Sequence, residues 1–123
     1  MWERKVRDDD LTTLRHEFNG EDDSFLIKLR PGLDWDKEAF SRLITAMEQC
    51  CRQYAQNDRV ERWLAHGFWY VPDFVRSWTS HPNFPHEYPQ EYYDQAYAQL
   101  EDLAHWFFVG ESPSIGDAAV DPL

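Results

Sequence analysis

A chain of 123 residues that is 42% apolar and 28% charged has the size of one globular domain, and six Trp, six Tyr and eight Phe exclude the aromatic-poor composition of disorder. Its net charge of −11 excludes direct nucleic-acid binding as a main role, because that binding depends on Lys and Arg releasing counterions from phosphates. No run approaches the roughly 18 apolar residues of a membrane-spanning helix, and the opening Met-Trp-Glu-Arg-Lys lacks the apolar core of a secretory signal, so a cytoplasmic protein is expected.

In chain order, a first short helix is expected at Leu11 to Phe18, capped by Asp10, with Leu11, Leu14 and Phe18 on one face and Asn19-Gly20 as a left-handed stop. The rival is a hairpin turning at Asn19-Gly20, with Phe25, Ile27 and Leu29 alternating on the returning strand. The helix is preferred because no later segment offers a third strand. Ser24 to Leu29 is a short apolar segment of undecided form, ended by Arg30-Pro31-Gly32.

The second helix is expected from Trp35 or Asp36 to about Gln56, capped by Asp34. Its stripe is Phe40, Leu43, Ile44, Met47, Cys50, Cys51 and Tyr54, at three- and four-residue steps. Asp58-Arg59-Val60-Glu61 matches a capping box and predicts the start of the third helix, which carries Leu64, Phe68, Val71, Val75 and Trp78. The periodicity passes through Pro72 unbroken, which predicts one helix kinked there.

Thr79 to Pro89 holds three prolines in eight residues and predicts a long loop. A fourth helix should follow from Gln90 to about Val109, with Tyr93, Ala96, Tyr97, Leu100, Leu103, Ala104, Phe107 and Phe108 inward and Gly110 as its stop. The predicted fold is all-α: a single-domain bundle of three long helices plus a short N-terminal helix. The domain should span residues 1–110, with 111–123 a mobile tail. Met47, Phe68, Val75, Leu100 and Phe107 are the expected centre of the core.

The last Lys or Arg is Arg76, and eight carboxylates follow it with no fixed cation. Fourteen of the twenty aromatic residues lie between Trp63 and Phe108, in and beside this acidic half. A one-signed field steers a partner of opposite sign while rings supply buried area, so this half is expected to dock a basic protein. The residues expected to do so are Trp78, His81, Phe84 and Tyr88 in or beside the loop, with Glu87, Glu91 and Asp94 as steering carboxylates. Small, acidic, single-domain character is shared by many bacterial inhibitor and immunity proteins, a likeness of class and not of motif.

The competing chemistry is a histidine-lined pocket, of an enzyme or a metal or ligand sensor, built from His66, His81, His86 and His105. Their spacing matches no metal-binding motif, so neither metal nor cofactor is expected. Cys50-Cys51 near a helix C-terminus favours packing over thiol chemistry, and no nucleophile elbow or Gly-rich phosphate loop is present. A non-enzymatic binding domain is therefore the expectation, with a homodimer through the broad aromatic face of the third helix as its structural variant.

Overall fold

The computed structural model describes residues 11–54 and 56–112. The expected Asp10 cap, and all but the first two residues of the expected tail, lie outside the described residues. Among the described residues the chain is helical with no strand: α1 (residues 11–18), α2 (Phe25–Leu29), α3 (Lys37–Tyr54), α4 (Arg62–Thr79) and α5 (Gln90–Val109).

The end of α1 follows from Asn19-Gly20. Gly20 takes φ +63°, its N–H donates to the Glu17 carbonyl, and the Glu21 N–H reaches back to the His16 carbonyl. Those are the two bonds of a Schellman motif, so the turn closes a helix and not a hairpin. The undecided segment after it is α2, because Ser24 is an N-cap whose Oγ accepts the Ile27 N–H at 3.2 Å.

Two caps move from their expected places. Asp36, not Asp34, caps α3: its Oδ1 accepts the Ala39 N–H at 3.1 Å. Asp34 instead closes the preceding turn, where its N–H donates to the Lys28 carbonyl and Leu33 sits at φ +51°. The capping box at Asp58 does not form either. Residues 58–62 are all exposed, Leu64 is the first buried residue, and the helix begins at Arg62 with Glu61 as its cap. The Glu61 carboxylate accepts the Trp63 indole N–H instead of a backbone donor. Apolar contact, not the box, decides where α4 begins.

α4 continues as one helix through Pro72 to Thr79. α5 starts after Pro89 and stops at Gly110, whose φ of +98° suits only a residue without Cβ. It packs against both α4 and α3, and α2 packs against α3. Met47, Phe68, Val75 and Leu100 have no exposed surface and Phe107 almost none. At the centre Phe68 and Phe107 stack at 4.1 Å, with Phe18 edge-on to Phe68 at 5.6 Å. α1 reaches this layer because Gly67 leaves room: a Cβ there would overlap the Phe18 ring.

Candidate functional site

The loop between α4 and α5 is short of freedom and rich in hydrogen bonds. Thr79 is buried, and its hydroxyl donates to the Val75 carbonyl at 2.7 Å, so its oxygen accepts from Tyr97 at 2.5 Å. The Thr79 carbonyl lies 2.6 Å from His86 Nε2; a carbonyl only accepts, so His86 carries its proton on that nitrogen. His86 then stands edge-on between Phe84 and Tyr93, and the Tyr88 N–H donates to the Tyr93 hydroxyl at 3.3 Å. At the other corner His81 Nδ1 accepts the Asn83 N–H at 3.1 Å.

These ties turn Phe84 inward and leave Trp78 and Tyr88 half-buried, while His81 and His86 stay exposed, so the three aromatic anchors expected for a partner are largely engaged within the chain. Phe84 is buried, at 3% exposure, because the loop lays it against His86 and the core. Trp78 is half-buried and its indole donates to the Leu29 carbonyl at 3.0 Å, joining the end of α4 to α2. Tyr88 is half-buried, and Lys37 Nζ sits 4.1 Å from its ring and 4.4 Å from that of Tyr92. A cation from α3 already occupies that aromatic face.

Of the seven expected contact residues, His81, Glu87, Glu91 and Asp94 remain exposed. Asp94 accepts a hydrogen bond from Gln90, and none of the three carboxylates has a cation at ion-pair distance among the described residues. Farther along α5, Glu101 pairs with Arg76. The rings that do face solvent are elsewhere: Trp69 on α4 at 63% exposure and Phe108 on α5 at 53%. Phe108 was expected inside. Phe107 and Phe108 are successive residues about 100° apart around the helix, so they cannot both face the Phe68 stack. Trp69, next to Phe68, is turned out for the same reason, and that signal was present in the periodicity.

The four histidines do not converge. His81 and His86 are in the loop, whereas His66 and His105 are exposed at the far ends of α4 and α5, each roughly 20 Å of helix rise from it. His66 stacks on Tyr70 at 5.5 Å. Among the described residues no group of three or more His, Cys, Asp or Glu side chains could hold a metal. A cavity of about 380 Å³ opens between α1, the end of α3 and the start of α4, lined by Leu11, Tyr54, Asn57, Arg59, Val60, Glu61 and Leu64, and it contains no histidine.

The thiols are also quiet. Cys50 and Cys51 are free and buried; burial pushes Cys50 up from 9.0 to about 12, and Cys51 higher still, with Cys50 and Glu48 adding to it. The Cys51 thiol donates to the Leu103 carbonyl at 3.4 Å and joins α3 to α5, and both thiols behave as core side chains.

Comparison with protein-family models, curated proteins and solved structures finds no match. No described helix is long and apolar enough to cross a membrane.

Proposed function

We propose that the chain is a non-enzymatic protein-binding domain, of inhibitor or immunity type, that holds a basic protein. The observation that carries this reading is the set of exposed, cation-free carboxylates Glu87, Glu91 and Asp94 where the loop enters α5. Four carboxylates elsewhere are answered by a Lys or Arg of the chain: Glu17 by Arg42, Asp36 by Lys28, Glu48 by Arg52 and Glu101 by Arg76. Unanswered charge on a −11 chain creates a long-range field for a cationic surface. His81 belongs to the same surface, while Trp78, Phe84 and Tyr88 support it from behind.

The reading includes a cytoplasmic location, in keeping with two free thiols and a fold that uses no disulfide among its described residues. It also takes α3, α4 and α5 as the bundle, with α4 bent at Pro72, whose ring has no N–H to give the Phe68 carbonyl one turn earlier.

Affinity capture from native lysate with the wild-type chain and with Glu87→Gln/Glu91→Gln/Asp94→Asn tests the proposal. Basic proteins should be retained by the first and lost by the second, and added salt should slow association more than it speeds release. Recovery of acidic proteins only, or equal recovery by both chains, overturns it.

A further inference from the structure

We propose that the outer seam between α4 and α5 seats a basic amphipathic helix of a partner protein, anchored on Trp69 and Phe108. This rests on the basic-partner reading above and adds where the partner's apolar side goes.

The register of the two helices carries the argument. Arg76 and Glu101 meet across the seam. One heptad back along α4 and one heptad forward along antiparallel α5 lead to Trp69 and Phe108, which therefore share the same side of the same seam. The Phe68–Phe107 stack just beneath fixes the rotation of both helices, so their neighbours in sequence are held outward. Trp69 and Phe108, with Val109 at 61% exposure beside Phe108, leave an apolar surface on a chain that buries its other tryptophans at least in part among the described residues. A single exposed ring is ordinary; two at one seam with a valine are a patch, and Trp is the side chain most enriched at binding hot spots.

Charge selects the occupant. Beside the patch stand Asp73 one turn along α4 and Glu111 beyond the end of α5, both exposed, while Asp94 lies about four turns of α5 away on the same seam. The cations nearby are Arg62, two turns before Trp69, and Arg76, which Glu101 already neutralises. A second copy would bring another −11 chain against this acidic rim, whereas a helix with lysines beside an apolar stripe complements both rim and rings.

The test titrates the full chain, by fluorescence anisotropy, with three labelled peptides. The first is a short helical peptide with a Leu/Phe stripe and Lys elsewhere, the second its scramble, and the third the stripe peptide with Glu replacing Lys. The Lys stripe peptide should bind about tenfold more tightly than its scramble, and Trp69→Ala/Phe108→Ala should remove that advantage without changing the circular dichroism or the melting temperature. Trp69→Lys, which keeps a long exposed side chain, should weaken the Lys peptide by a similar factor.

Unchanged stripe preference in both variants overturns the docking site while leaving the basic-partner reading intact. A preference for the Glu peptide overturns that reading itself. A marked fall in melting temperature of the double variant overturns the docking site by showing that the rings are covered within the chain. A concentration-dependent mass in ultracentrifugation, lost in the double variant, makes a second copy the occupant and also overturns it.

Discussion

Glu17 has no exposed surface, and its two oxygens serve different elements: Oε1 accepts the Phe25 N–H at 2.9 Å and Oε2 accepts Arg42 Nε at 2.9 Å. Arg42 also donates to the carbonyl of Asp23, whose φ is +67°, so one side chain of α3 holds the α1–α2 turn in place. Arg42→Ala would leave a buried carboxylate without its cation, which should cost about 3 kcal/mol, the low end for a broken buried pair because the Arg42 side chain is 44% exposed. Adding Glu17→Gln should recover part of that loss, and urea denaturation of the three variants measures the coupling. Asp36 offers a pH test at the same scale. Its hydrogen bond from Lys28, followed by the Ala39 N–H, holds its carboxyl below the ordinary 3.8. A carboxyl lowered in the folded state contributes stability that is complete above the unfolded value and lost as pH falls through the folded one. Asp36→Asn keeps a capping oxygen but cannot titrate, so it should flatten the acid limb of stability against pH. Asp36→Ala should cost about 1 kcal/mol at neutral pH through the lost cap. An acid limb in Asp36→Asn as steep as wild type would show that other carboxylates set it.

Among the elements, α4 is the one whose sequence signals conflict. Gly67 lies inside it, where Ala would gain about 1 kcal/mol of helix propensity. Yet its Cβ would overlap the Phe18 ring, which packs edge-on against both Trp63 and Phe68 and would have to shift. Overpacking of this kind costs about 1–3 kcal/mol, so Gly67→Ala should destabilise on balance. The double change Gly67→Ala/Phe18→Leu should restore part of the loss, as thermal unfolding would show. A gain in stability for Gly67→Ala alone would mean that α1 is not seated on α4.

For the whole molecule, the Phe18–Phe68–Phe107 layer joins α1, α4 and α5 into one core. Phe68→Ala removes the ring at its centre and should cost about 3–5 kcal/mol. Against a total of about 5–15 kcal/mol for a domain, that is enough to lower the melting temperature by roughly 10–20 °C. A calorimetric scan in which Phe68→Ala shifts the midpoint by only a few degrees would show that the layer is not close-packed. The −11 charge acts at this scale too, through self-repulsion, so moderate salt should raise the melting temperature of the free chain even as it slows capture of a basic partner.

Local rules sufficed where the determining interaction spans one turn of chain. The helical periodicities with their apolar stripes and the Asn19-Gly20 and Gly110 stops depend on spacing along one helix or on one residue's allowed φ, and each could be read from the sequence. So could the acidic half with its exposed carboxylates, since charge counts need no coordinates. Tertiary structure decided what one turn cannot: that Phe84 turns in while Trp69 and Phe108 turn out, that Glu17 is the buried anion, and that apolar contact moves the start of α4 past its capping box. Burial belongs to pairs far apart in the chain, such as the Trp35 indole on the Tyr92 hydroxyl across 57 residues, or Phe68 on Phe107. Which side of a helix such a partner occupies is fixed only when the helices pack.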